Sequence, residues 1–193
     1  MKRLFVLSLM ALAACAPGGW SPAEKDLINA PGDVMRVLTV DDPADSAVLR
    51  MPSTCLDIKA LKAPEYDVLA GRMVATVTSP EQDGVGIAGP QVGVLRRIVA
   101  VQRFDKEGEP FEVYPNIRIT AMRGEAEPGP EGCLSVPGRR GQVFRSRDID
   151  ITYTSLRSLA DTTERVQGFT AVIFQHECDH LDGILYIDKI DLQ

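Results

Sequence analysis

The sequence predicts an α+β fold in which mixed or antiparallel sheets surround one C-terminal helix. Through the middle of the chain, short runs rich in β-branched and aromatic residues alternate with glycine- and proline-containing turns, which is typical of hairpin-linked strands. One late segment, Gln167 to Asp182, has helical periodicity and carries the chain's two histidines in the pattern H-E-x-x-H. A helix would present His176 and His180 on one face, because residues four apart are stacked there.

The first elements are a strand and a helix separated by turns. Met35 to Val40 is predicted to be a short strand, followed by a turn at Asp41-Asp42-Pro43. Pro64 to Ser79 is predicted to be an amphipathic helix, because proline suits the first helical turn and apolar residues recur at spacings of three and four. The glycine-rich segment Asp83 to Gly93 is predicted to be a loop.

The second half of the chain contains most of the predicted strands. They are Ile98–Phe104, Glu112–Met122 and Ile149–Leu156, with a turn at residues 105–108 and a loop at Gly124–Pro130. Pro115 limits the hydrogen bonding of the second strand, since proline has no amide N–H. The late helix is expected to stop before Gly183, because glycine commonly follows the last helical residue.

The N-terminus has the features of an export signal. Lys2 and Arg3 precede an apolar run from Leu4 to Ala14, which is too short to span a bilayer but suits a signal-peptide core. This run ends in Leu12-Ala13-Ala14-Cys15, which resembles the lipobox of bacterial lipoproteins, where the cysteine after the cleavage site is lipidated. We therefore expect a signal peptide at 1–14, a lipid on Cys15, a flexible tether at 15–34 and the main domain at 35–193.

These features predict a membrane-anchored lipoprotein that faces the periplasm. The alternative is a cytoplasmic protein whose translation starts near Met35, at the first predicted strand. The net charge of −6, from 21 basic and 27 acidic residues, excludes the strongly basic surface typical of nucleic-acid-binding domains. Cys55 and Cys178 are expected to be partly buried thiols, with a disulfide between them as the alternative in an exported protein.

The H-E-x-x-H pattern indicates metal-assisted hydrolysis. His176 and His180 supply two metal ligands, and Glu177 lies beside the first as a candidate general base. A hydrolytic centre usually has three protein ligands and one open position. The chain has no third histidine, so the candidates for the third ligand are a carboxylate or a cysteine.

Three segments together resemble the motifs of the peptide deformylase family. They are Gly84-Val85-Gly86-Ile87-Ala88-Gly89-Pro90-Gln91-Val92-Gly93, then Glu131-Gly132-Cys133-Leu134-Ser135-Val136-Pro137-Gly138, then the late helix from Gln175 to Gly183. Their order and spacing fit, and the resemblance covers roughly Met35 to Ile190. It implies a hydrolase that removes the formyl group from the N-terminal formyl-methionine of peptides, with residues 35–193 as the catalytic domain.

The resemblance also implies roles for individual residues. Cys133, His176 and His180 match the metal ligands, and Glu177 matches the general base. Gln91 and the backbone N–H of Leu134 match the groups that stabilise the oxyanion.

The expected substrate contacts lie in the same motifs. Gly86 matches the residue whose backbone pairs with the extended peptide, and glycine lets another backbone approach closely. Val85, Val172 and Ile173 are candidates for the apolar pocket of the substrate methionine, and Arg140 for contact further along the peptide. Gly89 stands where the family commonly has alanine, and we expect glycine there to loosen the loop that carries Gln91.

The family resemblance implies Fe²⁺ as the metal, and the cysteine and histidine ligands also suit Zn²⁺, Ni²⁺ or Co²⁺. The expected partners are N-formyl-methionyl peptides, with no nucleic acid, and the catalytic domain is expected to be a monomer. Two alternatives follow from the export signal. One is an envelope-anchored amidase with a shifted peptide substrate, and the other is a non-catalytic lipoprotein that binds metal or peptide.

Overall fold

The computed structural model describes residues 17–190, so the signal segment and Cys15 lie outside the described residues. The helices are α1 (Pro22–Ile28), α2 (Pro43–Leu49), α3 (Ile58–Leu61), α4 (Pro64–Val77) and α5 (Gly168–Leu181). The strands are β1 (Pro17–Gly18), β2 (Cys55–Leu56), β3 (Gly86–Ala88), β4 (Ile98–Gln102), β5 (Phe111–Pro115), β6 (Arg118–Arg123), β7 (Glu127–Cys133), β8 (Val136–Arg145), β9 (Asp148–Thr154) and β10 (Asp161–Gln167). Short 3₁₀ helices occur at Gly89–Val92 and Tyr186–Asp188.

The strands form small, mainly antiparallel sheets, which confirms the predicted α+β class. One sheet has the order β3-β4-β5 and another the order β10-β9-β6, while β7 and β8 form a hairpin. A short parallel pair joins β1 to β2. Helix α5 packs against β3, β4 and β10, so the helix that carries both histidines lies between the two three-stranded sheets.

Helices α4 and α5 form as predicted. In α4, Pro64 occupies the first turn, and Tyr66, Leu69, Met73 and Val77 are buried on one face. In α5, the chain leaves the helix through Asp182, and Gly183 has a φ of +73°. That backbone conformation favours glycine, which confirms the predicted stop.

Three of the predictions for strands and loops are wrong. The segment Met35–Val40 is not a strand. Its backbone runs beside Gln91, where the N–H of Leu38 donates a hydrogen bond to the Gln91 carbonyl oxygen at 2.8 Å. The predicted strand Glu112–Met122 is divided into β5 and β6, because Asn116 adopts a φ of +55° and turns the chain from one sheet into the other. The predicted loop Gly124–Pro130 is largely the start of β7.

Several elements were not predicted from local sequence. The glycine-rich segment expected to be a loop contains β3, and the turn at residues 41–43 leads directly into α2, which Asp42 caps. Strands β8 and β10 were also missed.

The expected flexible tether at 15–34 is folded from residue 17 onward. It forms β1 and α1, and Ile28 is fully buried against the domain. Cys178 is a free, buried thiol, so it does not pair with Cys55. Within residues 17–190, no helix has the length and apolar character needed to cross a membrane.

Candidate metal centre

The structure brings Cys133 to the two histidines. The ligand atoms of Cys133, His176 and His180 all lie within 4.8 Å of one another, and Cys133 Sγ is 3.1 Å from His180 Nε2. Helix α5 sets the imidazoles one turn apart, with ring centroids separated by 5.0 Å. Cys133 ends β7 immediately before the turn at Leu134 and Ser135, and this turn directs its side chain toward α5.

The chemistry of these donors fits a divalent metal ion. Burial and the neighbouring His176 hold the pKa of His180 well below its usual range, so its imidazole is neutral, as a ligand must be. Burial lowers the pKa of His176, but hydrogen bonds to Cys133 and Glu131 outweigh that effect and raise it to about 10. A cation between the thiol and the imidazoles would take the place of that proton. Two imidazoles and a thiolate are ligands that suit a tetrahedral site with one open position.

Glu131 orients His176, a role that the sequence analysis missed. His176 Nδ1 donates to Glu131 Oε2 at 2.8 Å, which leaves Nε2 for a metal. Arg145 donates to both oxygens of Glu131, at 2.7 and 3.0 Å, and also binds Asp179. Burial raises the pKa of Glu131, but His176 and Arg145 lower it to about 2. The feature of the sequence that could have identified Glu131 is its position, as an acidic residue two positions before Cys133.

Glu177 is buried and points into the site. Its side chain is 4% exposed, and its Oε2 atom has no hydrogen-bond partner among residues 17–190. Burial raises the pKa of this carboxyl to about 7, which is the range of a general base. Gly86 lies directly against it, since a β-carbon on Gly86 would come within 2.5 Å of Glu177 Oε1.

Gln91 is held rigidly at the edge of the metal centre. It is 1% exposed, and its Oε1 accepts a hydrogen bond from Ala88 N at 2.8 Å. Its Nε2 donates to Ser135 Oγ at 3.2 Å and lies 3.6 Å from Cys133 Sγ. The side-chain amide nitrogen of Gln91 therefore faces Cys133, one of the three candidate ligands. Ser135 was not predicted to contribute.

Gly89 meets a steric requirement that the sequence analysis did not consider. A β-carbon at Gly89 would lie 2.6 Å from the carbonyl oxygen of Val94 and 2.8 Å from that of Arg96. These are backbone atoms, so they cannot move aside as a flexible side chain could. Glycine is needed here because the chain folds back closely onto the turn that carries Gln91.

A cavity of about 840 Å³ opens onto these residues. Its wall includes every residue expected to contact the substrate: Val85, Gly86, Arg140, Val172 and Ile173. The wall further includes Leu134, whose backbone N–H is the second expected oxyanion donor. It also includes Phe169 and Arg139, which the sequence analysis did not select. Phe169 is 50% exposed and packs on Phe104 with ring centroids 5.5 Å apart. Its position one turn before Ile173 was the signal that could have identified it.

Comparison with known proteins gives consistent matches over nearly all of this region. The sequence model of the family described as "Polypeptide deformylase" matches residues 34–193. A peptide deformylase of Leptospira biflexa is 32% identical over 164 residues, which span 81% of this chain and 88% of the relative. One of Desulforudis audaxviator is 38% identical over 146 residues, spanning 74% of this chain and 91% of the relative.

Solved structures agree with these sequence matches. The actinonin-bound class I type b peptide deformylase of Acinetobacter baumannii has a TM-score of 0.71 and 34% identity, covering 82% of this chain and 99% of that chain. The peptide deformylase of Thermotoga maritima has a TM-score of 0.70 and 32% identity, covering 82% of this chain and 98% of that chain.

Proposed function

Because this chain belongs to the peptide deformylase family of hydrolases, which remove the N-formyl group from nascent peptides, we propose that Cys133, His176 and His180 hold its metal ion. Peptide deformylases are metalloenzymes, and the compact set of donors supports this assignment. When bound, the ion supplies a Lewis acid that polarises the formyl carbonyl and makes water more acidic. Glu131 orients His176 for this purpose through the hydrogen bond to its Nδ1.

Other groups in the cavity are proposed to bind the peptide, to transfer the proton and to stabilise the oxyanion. Strand β3 is the edge of its sheet, so an extended peptide can pair with the backbone at Gly86 and bring its formyl carbon to Glu177. Glu177 takes a proton from the attacking water and delivers it to the departing amine. The Gln91 side-chain amide and the Leu134 backbone N–H donate to the oxygen on which negative charge develops.

The substrate side chain is proposed to enter the apolar part of the cavity. Val85, Val172 and Ile173 line it beside Glu177, and an unbranched methionine side chain suits such a wall. Arg140 lies on the opposite, exposed strand β8 and would contact the peptide further from its N-terminus.

The observation that carries the catalytic assignment is that Glu177 lines a cavity together with Gln91, Cys133 and His176, while His180 lies beside the last two as the third donor. The test is an assay of formate release from a formyl-Met peptide by the metal-loaded protein. Glu177→Gln should retain the metal and lose activity by roughly 10²- to 10⁴-fold, since it cannot accept the proton. The control Glu107→Gln, in an exposed turn, should be fully active. Full activity of Glu177→Gln would reject Glu177 as the base.

We further propose Fe²⁺ as the physiological metal, with Zn²⁺ and Ni²⁺ as ions that the same ligands accept. The catalytic domain is proposed to act as a monomer. The sequence before residue 17 supports a separate proposal, that Cys15 is lipidated and anchors the enzyme at the periplasmic face of a membrane.

An anchored enzyme would meet released formyl peptides, whereas a cytoplasmic product starting near Met35 would meet nascent chains. Cell fractionation with mass spectrometry of the mature N-terminus separates the two cases. A lipid-modified Cys15 in the membrane fraction supports the anchor. A soluble cytoplasmic product that starts near Met35 rejects it.

A further inference from the structure

Residues 17–33 precede the part of the chain that matches the family and yet are folded onto the catalytic domain. Ser21 and Glu24 form a capping box that starts α1. Trp20 Nε1 donates to the carbonyl of Ala60 at 3.0 Å, and Ile28 is fully buried. We call residues 17–33 the N-terminal brace, because they contact the segment that follows Gln91.

Arg96 connects the N-terminal brace to that segment. Its guanidinium donates to both carboxylate oxygens of Glu24, at 2.6 and 2.8 Å, and to the carbonyl of Gly19 at 2.5 Å. It also lies 5.9 Å from the centre of the Trp20 ring. The side chains of Arg96 and Glu24 are only 11% and 15% exposed, so solvent screens this ion pair weakly.

The backbone of Arg96 in turn packs on the turn that holds Gln91. The carbonyl oxygens of Val94 and Arg96 lie so close to Gly89 that no β-carbon fits there. On the other side of the same turn, Leu27 covers Gly93, with its Cδ2 atom 3.3 Å from where a β-carbon would stand. Ile28 belongs to the same buried cluster as Val92. The N-terminal brace thus touches the 89–96 segment on two sides.

We propose that the N-terminal brace positions Gln91 for catalysis, acting through Arg96 and Gly93 on the turn Gly89–Val92. This inference rests on the proposed role of Gln91 as an oxyanion donor. The brace residues themselves do not line the cavity, so they act only through the turn. A displacement of about 1 Å in a group that contacts the reacting atoms can reduce the rate by roughly 10²-fold, so a small shift of the turn is sufficient.

The experiment combines brace variants with removal of the Gln91 amide. Full-length Glu24→Gln/Leu27→Ala loses the carboxylate charge that pairs with Arg96 and the Leu27 contact on Gly93, while glutamine retains the capping box. Lys25→Ala on the same helix is the matched control, since Lys25 is half-exposed and pairs with Glu65 away from the turn. Each is measured alone and combined with Gln91→Ala, in the same metal-loaded state and well below the thermal midpoint.

The double brace variant should lower kcat roughly tenfold with little change in KM, and Lys25→Ala should not. In the Gln91→Ala background, the brace substitutions should cost no further activity, because the group they position is gone. An equal loss in both backgrounds, or an unchanged kcat of the folded variant, would overturn the inference. If the double variant fails to fold, Glu24→Gln alone enters the same comparison with the same criteria. A fully active Gln91→Ala protein would instead reject the proposed role of Gln91.

Discussion

Gly86 and Glu177 are packed so closely that the glycine has no room for a side chain. A β-carbon at Gly86 would approach Glu177 Oε1 to 2.5 Å and Ile173 Cγ2 to 2.8 Å. Both neighbours belong to α5, the helix that carries the histidines. The edge strand proposed to bind substrate therefore lies in direct contact with the proposed general base. A substitution at Gly86 would displace the Glu177 side chain.

Replacing Gly86 with alanine should push the Glu177 carboxylate away from the cavity. We expect kcat/KM for a formyl-Met peptide to fall by roughly 10²-fold, because misplacement of a reacting group by about 1 Å costs that much. Metal content should be unchanged, since none of the three ligands is touched. The measurements are formate release and metal analysis of the same sample.

Gly71→Ala is the matched control for Gly86→Ala. Gly71 lies in the middle of α4. Among residues 17–190, apart from the neighbouring residues and backbone of its own helix, no atom lies within 4 Å of where its β-carbon would stand. Alanine there should leave activity unchanged and stabilise the protein by up to about 1 kcal/mol, from helix propensity alone. Equal activity of Gly86→Ala and Gly71→Ala would contradict the close packing of Gly86 on Glu177.

Glu131→Gln should weaken metal binding without removing a ligand. The carboxylate binds both His176 Nδ1 and the Arg145 guanidinium, so glutamine leaves each with a poorer partner. Loss of such a supporting group typically costs 10- to 100-fold in metal affinity or activity. Competition with a chelator measures the affinity. Glu127→Gln, an exposed position on the same strand, should retain the affinity of the unchanged protein.

Removal of the metal should abolish activity and lower the thermal midpoint. An ion that binds only the folded state adds stability that grows with its free concentration relative to its Kd. Readdition of Fe²⁺ under anaerobic conditions should restore both properties, and Zn²⁺ or Ni²⁺ should restore the midpoint with different activities. Activity that survives metal removal, verified by elemental analysis, would refute metal-dependent hydrolysis at this site.

Glu24 should make stability depend on pH in the acid range. Burial raises the pKa of its carboxyl, but hydrogen bonds from Arg96 and Ser21 outweigh this and lower it below the ordinary 4.5. A carboxyl with a lower pKa in the folded state adds stability above its unfolded pKa, and that stability is lost as the pH falls through the folded value.

The corresponding test compares Glu24→Gln with the unchanged protein in denaturant titrations from pH 7 to pH 3. At pH 7 the substitution should lower the free energy of unfolding by about 1–2 kcal/mol, as for a hydrogen bond to a charged group. As the pH falls below the ordinary 4.5, the difference should shrink, because protonation of the unfolded chain and then of the folded protein removes the advantage of the Glu24 carboxylate. A difference that is constant over this pH range would contradict the buried pair of Glu24 with Arg96.

Local periodicity was enough to predict the two long helices and the α+β class. The spacing of Leu69, Met73 and Val77 in α4 follows the helical repeat, and these residues are buried as expected. The same periodicity put His176 and His180 on one face of α5. The motifs also drew attention to Gln91 and Cys133, whose side chains the structure places beside the histidines.

The strands and the N-terminal segment were harder to predict, because their secondary structure depends on contacts with residues that are distant in the sequence. Asn116, with its φ of +55°, divides one apolar run between two sheets, and Val37 and its neighbours remain irregular although their sequence suits a strand. A strand is stable only where another strand offers its hydrogen bonds, and short segments do not encode that partner.

By itself, the sequence indicated which residues are candidates for the chemistry: two histidines and a glutamate on one helix, a cysteine in one motif and a glutamine in another. Only the tertiary structure decided that Glu131 orients His176, that Gly89 is needed for the chain to fold back, and that the segment before residue 34 braces the Gln91 turn. The physical reason is the separation along the chain of the residues that interact. Helical spacing acts over a few residues, whereas these contacts join parts of the chain that only packing brings together.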